Sequence, residues 1–358
     1  MRLHPARTPM NRPRRILHVT SRLDGYGGAR MLRYLAQHQA LTGSQSIVVA
    51  LAAVRVVVEE LRTAGVQVYV LNSRWKFDPL AIERLRRLRR RTPVDLVHAW
   101  DSVAHIHVVL TGRREPLVVE LRESDRTPGW MRRLPGQSFS SIPLGVPPVQ
   151  PSRSSRSDVL TELGLENEAR VIALAGPLVR GKCFDEAIWC FELVRILHPQ
   201  ARLLAFGDGP DRARLERFAE MVSEPGCVRF TGFRADLAEL LPHADVYWQL
   251  NPSVTTPHAL LEAMAWGVPA VVSDVPAHRE AVTPGETGCV AALNNRADVA
   301  RATDKLLGDA AFAERLGRNA SQFVARKFSL EDAYLTWDSL YGRQPIPRTP
   351  VTLPEEMP

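Results

Sequence analysis

Long apolar runs are missing from this sequence of 358 residues. A membrane-spanning helix needs roughly 18 consecutive apolar residues, and the longest candidate, residues 47–58, is shorter and contains Arg55. The first residues are rich in arginine and proline and lack the apolar segment of a secretory signal. We therefore expect a globular, non-secreted protein, in agreement with 45% hydrophobic and 24% charged residues.

Cysteine is also scarce, with four residues spread along the chain: Cys183, Cys190, Cys227 and Cys289. No pair has the Cys-x-x-Cys spacing of a metal site, and four cysteines in so long a chain do not form a disulfide framework. The sequence also has no Asp-x-Asp motif and no cluster of metal ligands. We predict no bound metal and a location in the reducing cytoplasm.

Lysine is rare too, since only four of the 46 basic residues are lysines, so a well-placed lysine is conspicuous. Basic residues outnumber the 39 acidic ones and give a net charge of +7. Arginines are concentrated in residues 12–15 and 84–91. The interpretation of residues 84–91 without a function is an ordinary solvated helix face. The functional alternative is a patch for a polyanion or for anionic lipid, which would hold the protein peripherally on the inner face of a membrane. Aromatic residues do not alternate with these arginines, which argues against nucleic acid as a partner.

Short β-branched runs alternate with amphipathic stretches in two blocks of the chain. The first block starts with a strand predicted over residues 16–20 and includes a helix over 79–91. The second starts with a strand over 171–175 and ends in a helical tail over 297–341. This alternation indicates parallel sheets with helices on both faces. The predicted fold class is α/β, with two doubly wound, Rossmann-like domains facing across a crevice where a ligand would bind.

A segment rich in proline and serine separates the two blocks. Residues 143–158 read PLGVPPVQPSRSSRSD and show neither a helical nor a strand period. The predicted organisation is a disordered tail at 1–14, an N-terminal domain at 15–147, a linker at 148–160, a C-terminal domain with terminal helices at 161–341 and a disordered tail at 342–358.

The most specific motif lies in residues 262–273, which read EAMAWGVPAVVS. This segment resembles the helix–turn–strand signature of the family 4 retaining glycosyltransferases, which have the GT-B fold. Other segments match motifs of that family in order and spacing: Gly27-Gly28-Ala29 and residues 95–99, 206–210, 231–234, 244–246 and 286–288. The sequence is therefore identified as a divergent member of this family, with an N-terminal domain shortened in residues 122–142.

The resemblance implies a site for a nucleotide-diphosphate sugar. Lys182 matches the phosphate-binding lysine of the family, and Glu262 matches the glutamate that binds the ribose hydroxyls. The helix that starts near His258 would direct its N–H groups and its positive dipole end at the diphosphate. His98, at a strand end, is a third catalytic candidate, and a core histidine is the equal alternative. The residues predicted to bind the donor are Gly27, Gly28, Arg180, Gly207, Asp208, Arg234, His258, Ala259 and Leu260.

The main site residues also have interpretations without a function. Lys182 would be a solvated loop lysine, Glu262 a surface residue of its helix, and Gly27 part of an ordinary turn between strand and helix. The apolar neighbours of Glu262 favour function, because an unpaired buried carboxylate is destabilising. The glycine turn is not a dinucleotide fingerprint, since Gly25 and Gly27 are followed by Arg30 at the third glycine position.

Three departures from the family pattern affect groups that contact the donor. Val254 occupies the position of the first glutamate of the family's pair, and a valine cannot bind sugar hydroxyls. Pro177 replaces the arginine partner of the phosphate-binding lysine, with Arg180 as the nearest substitute. Trp100 replaces a histidine at the end of the fourth strand.

The resemblance implies a metal-independent, retaining transfer of a hexose from a UDP-, GDP- or ADP-sugar to a glycan or lipid acceptor, without a separate cofactor. The leaving diphosphate is expected to take the proton of the acceptor hydroxyl, so its electrostatic stabilisation is the main catalytic contribution. Because of the departures, a non-catalytic relative that binds a nucleotide sugar or a protein partner is the alternative. A dehydrogenase or another Rossmann enzyme is the third interpretation of the sequence.

Overall fold

The computed structural model describes residues 14–112, 115–120, 133, 135–140, 144–150, 152, 154–252 and 257–342. The chain divides into two compact units. Unit 1 comprises Met1–Pro143 and Ala333–Pro358, and unit 2 comprises Leu144–Asp332. Each unit contains one parallel six-stranded sheet, as the alternation of strands and helices predicts.

The sheet of unit 1 consists of β1 (Arg15–Leu23), β2 (Gln45–Ala53), β3 (Gln67–Val70), β4 (Leu96–Ala99), β5 (Leu117–Glu120) and β6 (Gln137–Ser140). Its helices are α1 (Gly27–Leu41), α2 (Arg55–Thr63), α3 (Pro79–Arg91) and α4 (Ser102–Leu110). The strand order is β3-β2-β1-β4-β5-β6, that of a doubly wound sheet. One face of the sheet packs on α3 through Leu17, Val19, Ala81 and Leu85.

The sheet of unit 2 consists of β7 (Arg170–Ala175), β8 (Ala201–Phe206), β9 (Val228–Gly232), β10 (Val246–Gln249), β11 (Ala270–Ser273) and β12 (Cys289–Ala291). Its helices are α5 (Arg156–Glu162), α6 (Phe184–Leu197), α7 (Arg212–Val222), α8 (Leu237–Leu240), α9 (His258–Ala265), α10 (Pro276–Arg279), α11 (Arg296–Gly308) and α12 (Ala310–Lys327), and α13 (Leu330–Gly342) starts in unit 2. The order β12-β11-β10-β7-β8-β9 repeats the topology of unit 1. Alternate residues of β7 enter cores on opposite faces, Val171 and Ala173 with α9, Ile172 and Leu174 with α6.

The C-terminal helix corrects the predicted domain boundaries. From Ala333 onward α13 belongs to unit 1, whereas the sequence assigned residues 161–341 to the C-terminal domain. Trp337 and Tyr341 are each 1% exposed. The backbone carbonyl of Tyr341 accepts a hydrogen bond from Arg14. Arg14 is buried, although it was predicted to belong to the N-terminal tail. A helical period shows that one face is buried but not which core it enters, so the sequence could not make this assignment.

The predicted linker at 148–160 is partly structured. Its last residues belong to α5, whose first turn is closed by a capping box between Ser155 and Asp158. Val159 and Leu160 are buried in the core of unit 2. Serine is common in linkers and at helix caps, so its frequency alone did not distinguish the two.

Besides α5, four elements were not predicted from the sequence: α4, β6, α10 and β12. Helix α4 is apolar almost all round and therefore lacks an amphipathic period. Strand β6 pairs with β5 and lies in residues 122–142, where a missing strand was expected. The sheet of unit 1 thus has a strand at every position of the doubly wound order.

Candidate functional site

The topology of unit 2 brings the main predicted site residues to one edge of its sheet. The strand order reverses between β7 and β10, and doubly wound sheets bind ligands outside the carboxyl ends of their strands at such a reversal. The loop after β7 carries Lys182, the loop after β8 carries Asp208, and the chain after β10 leads to α9 with Glu262. These three segments, residues 176–182, 207–210 and 257–262, are called the switch-point site below.

Lys182 ends a single turn of 3₁₀ helix, Arg180–Lys182, and is half-buried. The next residue, Cys183, has a left-handed backbone (φ 54°) that turns the chain into α6. Among the described residues, the Lys182 ammonium has no hydrogen-bond or ion-pair partner, and burial lowers its pKa. A partly desolvated cation without a counter-ion favours an anion beside it.

The loops after β7 and β8 are joined through their backbones. Leu178 donates its N–H to the carbonyl of Asp208 (3.0 Å), and Asp211 donates its N–H to the carbonyl of Leu178 (3.1 Å). A Cβ at Gly209 would lie 2.4 Å from the Leu178 carbonyl oxygen, so this contact requires glycine. The Asp208 carboxylate is exposed and lies 3.4 Å from Arg212 Nη1. The segment that contains Asp208, residues 207–210, therefore holds the loop after β7 in place.

Helix α9 starts at the same edge of the sheet. The first N–H groups of a helix have no partner within it, so the backbone of Ala259 and Leu260 offers donors to an anion. The side chains add little to this, because Leu260 has no polar side-chain atom and the His258 ring contacts the Gly145 carbonyl oxygen through Nε2 (3.0 Å). The predicted role of these residues is thereby restricted to their backbone.

Glu262 lies one turn further along α9 and is 3% exposed. The expectation of a buried helix around this glutamate is confirmed, and its interpretation as a solvated surface residue is wrong. The carboxylate has a neighbour in the chain, since Glu262 Oε1 lies 3.4 Å from His258 Nδ1. The contact with ribose hydroxyls stays a prediction.

Two predicted donor-binding residues are used for internal contacts instead. The Arg234 guanidinium donates from Nε to Asp236 Oδ1 (2.7 Å) and from Nη2 to Glu162 Oε1 (2.6 Å). These hydrogen bonds, that to Asp236 first, raise the pKa of Arg234. Gly207 donates its N–H to the Gly232 carbonyl (2.8 Å) and so joins the ends of β8 and β9. The predicted binding role of Arg234 is corrected to a structural one, because its charge is already neutralised.

In unit 1 the strand order reverses between β1 and β4, and α1 starts directly after β1. Gly27 has φ +47°, which favours glycine, and an added Cβ would meet no atom within 4 Å. Gly28 follows Gly27, and the first turn of α1 contains no acidic residue. Arg30 donates a hydrogen bond from Nε to the Gly25 carbonyl (3.1 Å). Open space beside a helix amino end is compatible with the predicted role of both glycines, which stays a prediction.

His98 lies in the interior of unit 1. It has no exposed surface, its Nδ1 lies 2.8 Å from Tyr341 Oη, and its ring centroid lies 4.5 Å from that of Trp100. Burial, and secondarily the neighbouring His18, holds the pKa of His98 well below its ordinary value. Because an enclosed ring cannot contact a substrate, the catalytic assignment is corrected to that of a core histidine.

The histidines of this core make unit 1 sensitive to acid. Trp100 Nε1 donates to His18 Nδ1 (3.1 Å), so the proton of His18 is on Nε2, which donates to Gln39 Oε1 (2.9 Å). Burial lowers the pKa of His18 from 6.5 to about 4. His18 binds a proton below pH 6.5 in the unfolded chain and only near pH 4 in the folded chain, so stability falls as the pH falls through this window.

For His18 alone, we expect the free energy of unfolding in urea to be about 2 kcal/mol lower at about pH 5 than at about pH 7.5.

The matched control for this pH dependence is His18→Gln. Glutamine keeps a side-chain donor but does not titrate, so the variant should be less stable at neutral pH and lose less stability on acidification. Equal stability of the wild type at both pH values, or an unchanged pH dependence in the variant, would contradict the assignment.

Sequence reasoning missed His278, which follows β11 at the same edge as Lys182. Its side chain is fully buried, and Nδ1 lies 2.9 Å from the Ser273 carbonyl oxygen. Burial lowers the pKa of His278, the bond to Ser273 opposes this, and the charge of Lys182 lowers it further. The signal was present in the sequence, since a histidine five residues after a buried parallel strand lies close to the carboxyl edge of the sheet.

The departures from the family pattern are only partly within the described residues. Val254 lies outside them. Pro177 accepts the N–H of Val179 at its carbonyl (2.9 Å) and supplies no charge, so Arg180 and Lys182 are the cations of this loop. In the described ranges, no group of three or more histidine, cysteine, aspartate or glutamate side chains is arranged to hold a metal ion.

Two family models match the chain. The model of the glycosyl transferases group 1 matches residues 156–323, and the model of glycosyltransferase family 4 matches residues 26–140. The first match contains the whole switch-point site in unit 2, and the second covers most of the described part of unit 1 up to β6.

Individual relatives agree with these matches. A glycogen synthase of Mycobacterium tuberculosis is 32% identical over 72% of this chain and 72% of that protein. An exopolysaccharide phosphotransferase of Streptomyces coelicolor is 26% identical over 78% of this chain and 32% of that protein. The chain spans less than half the length of several curated relatives that it matches. Among solved structures, Anabaena HepE in complex with UDP and glucose has a TM-score of 0.78 to this chain at 16% sequence identity. The match covers 92% of this chain and 100% of that one. At this identity the similarity is one of fold.

Proposed function

We propose, since this chain belongs to the group 1 glycosyltransferases, that it transfers a glycosyl unit from a nucleotide sugar to an acceptor hydroxyl. The observation that carries this proposal is Lys182, a half-buried ammonium that has no counter-ion among the described residues at the strand reversal of unit 2. A nucleoside diphosphate would supply the anion, and the backbone N–H groups at the start of α9 would add hydrogen bonds.

The proposed reaction retains the configuration of the sugar and uses no metal ion. The bond between the sugar and the distal phosphate breaks, and the acceptor hydroxyl attacks the same face and gives its proton to an oxygen of the leaving diphosphate. Lys182 stabilises the negative charge that grows on this group, with Arg180 as a second cation. At about 4 Å and an effective dielectric of about 20, one such contact contributes about 4 kcal/mol.

The proposed donor is a UDP-, GDP- or ADP-hexose, and the proposed acceptor is a glycan or a lipid. Support for the donor class comes from the fold relative HepE, whose structure holds UDP and glucose. Calorimetric titration with UDP, GDP and ADP tests the proposal. We expect one of them to bind with a Kd between micromolar and millimolar, and with the same Kd after addition of a chelator. Failure of all three to bind, or a strict need for Mg²⁺ or Mn²⁺, would contradict it.

Glu262→Gln is expected to weaken binding of that nucleoside diphosphate roughly ten- to a hundredfold. The ribose hydroxyls would lose a charged acceptor worth about 1.5–3 kcal/mol, while glutamine keeps the size of the side chain. Calorimetry measures the affinity, and the melting temperature shows whether the fold survives. Glu239→Gln, at an exposed position of α8, is the control and should leave affinity unchanged. Equal affinity in wild type and Glu262→Gln would mean that this carboxylate interacts with His258 and not with the ribose.

A non-catalytic binding protein is the second candidate, and the replaced family residues Pro177 and Val254 favour it. The two candidates differ in turnover. Incubation with each nucleotide sugar for hours, followed by assay of the released nucleoside diphosphate, separates them. Release supports the transferase, whereas binding without release supports the binding protein.

A further inference from the structure

The arginine run at residues 84–91 divides into two sets on α3. Arg86 and Arg89 are occupied by internal contacts. Arg86 donates to Glu83 (3.2 Å) and to the Leu110 carbonyl (2.9 Å), and Arg89 is paired with Glu115 (2.5 Å). These two arginines hold α3 to α4 and to the chain that follows α4.

Three of the other four arginines form a stripe along the outer face of α3, and the fourth, Arg90, is exposed as well. Arg84, Arg87 and Arg91 are separated by three and four positions, which places them on one face of the helix, and all three are exposed. Leu80 is four positions before Arg84 and extends the same stripe by one turn. Its side chain is 66% exposed. The name arginine stripe refers below to Arg84, Arg87 and Arg91.

The arginine stripe borders a groove of about 490 Å³ beside β3, the edge strand of the sheet. Arg62 of α2 and the half-exposed ring of Tyr69 complete the lining. Two carboxylates contact these arginines, Glu83 with Arg87 (3.0 Å) and Glu59 with Arg62 (3.4 Å). Four arginines against two carboxylates leave this surface positively charged.

Two large aromatic side chains are exposed in the loop that precedes α3. Trp75 is 68% exposed and Phe77 is 53% exposed. Asp78 fixes the end of this loop, because its carboxylate accepts the N–H groups of Arg74 (3.0 Å) and of Leu80 (2.9 Å). The Phe77 ring stacks on that of His107 in α4 (6.4 Å between the ring centroids) and keeps its outer part in solvent, whereas the Trp75 ring is mostly exposed. Both rings therefore belong to a structured loop that leads to Leu80, the apolar end of the stripe.

We propose that this surface attaches unit 1 to an anionic lipid bilayer, an interaction that is separate from the glycosyl transfer. Trp75, Phe77 and Leu80 would enter the headgroup region, and the arginine stripe with Lys76 would contact lipid phosphates. A soluble polyanion would use the arginines but would give no role to the exposed rings, whereas a bilayer uses both. No helix within the described ranges is long and apolar enough to cross a membrane.

Sedimentation of the full chain with vesicles tests this proposal. We expect binding to phosphatidylcholine vesicles that contain about 30% phosphatidylglycerol, weak binding to pure phosphatidylcholine, and a loss of binding at high salt. Arg84→Gln/Arg87→Gln/Arg91→Gln should lower the partition coefficient about a hundredfold, since each basic residue near an anionic surface contributes roughly fivefold. Trp75→Ser/Phe77→Ser should lower it about tenfold or more.

Matched variants separate this effect from a general loss of charge or fold. Arg217→Gln/Arg301→Gln/Arg318→Gln removes three exposed charges from unit 2 and should bind like wild type. Because Arg84 also donates to the Leu71 carbonyl (2.6 Å), Arg87→Gln/Arg91→Gln is a second stripe variant, with an expected loss of about 25-fold. Melting temperatures check the fold of each protein.

Three results would overturn the proposal. The first is a wild type that does not bind the anionic vesicles, and the second is a unit 2 control that loses as much binding as the stripe variants. The third is unchanged vesicle binding by Trp75→Ser/Phe77→Ser together with loss of dextran sulfate binding in the stripe variants, which would indicate a site for a soluble polyanion.

Discussion

Lys182→Ala is expected to lower turnover by roughly two to three orders of magnitude while unit 2 stays folded. The ammonium would act mainly in the transition state, because the charge on the diphosphate grows as the bond to the sugar breaks. A contact of about 4 kcal/mol corresponds to about a thousandfold in rate. The assay is release of nucleoside diphosphate from the donor that the binding experiments identify. Calorimetry gives the accompanying loss of affinity.

The control for this experiment is Lys305→Ala, which removes an exposed lysine of α11 in the same unit. It should keep full turnover. Turnover that is measurable in wild type and indifferent to Lys182→Ala would refute the proposed role of the lysine. If wild type has no turnover, weakened diphosphate binding in Lys182→Ala alone would still support the anion site and would favour the binding protein.

Trp337→Ala is expected to lower the free energy of unfolding by about 3–5 kcal/mol. The ring of Trp337 is 1% exposed and packs beside Trp100, with 6.2 Å between the ring centroids. Its loss would leave a cavity where α13 joins the core of unit 1, so α13 should detach more readily. Urea denaturation measures the stability, and hydrogen exchange should show faster opening of α13 and of the strands of unit 1.

Two substitutions on α13 serve as controls. Trp337→Phe keeps most of the buried ring and removes an indole N–H that has no acceptor among the described residues, so it should be much milder than alanine. Leu335→Ala changes a side chain that is 61% exposed and should alter stability by less than about 0.5 kcal/mol. A loss below about 1 kcal/mol for Trp337→Ala would mean that the helix contributes little to unit 1.

Elements with a strong local pattern were predicted almost to the residue. The helix predicted over 79–91 is observed as Pro79–Arg91, and the strand predicted over 171–175 as Arg170–Ala175. A buried parallel strand is a short apolar run between turn residues, and an amphipathic helix has a clear period, so both are local signals. The polar strand Gln137–Ser140 and the apolar helix Ser102–Leu110 have neither signal and were missed.

The arginines of the candidate site show a different limit of sequence reasoning. Arg180 and Arg234 both lie in loops that follow strands of unit 2, and both were predicted to bind the donor. Arg234 meets the carboxylates of Asp236 and Glu162, whereas Arg180 has no partner among the described residues. The position of a charge follows from the order of strands and loops. Whether that charge is already neutralised depends on side chains that meet only after folding.

The sequence by itself determined the two parallel α/β units and the placement of Lys182 and Glu262 at the carboxyl edge of the second sheet. These features depend on local periodicity and on the rule that parallel strands end at a common edge. Only the tertiary structure decided that His98 is enclosed and that the chain from Ala333 returns to unit 1. The bond between His98 and Tyr341 joins residues 243 positions apart, and no local pattern specifies such a contact. Burial and the pKa values that follow from it are set by these long-range contacts, because desolvation depends on every segment packed around a group.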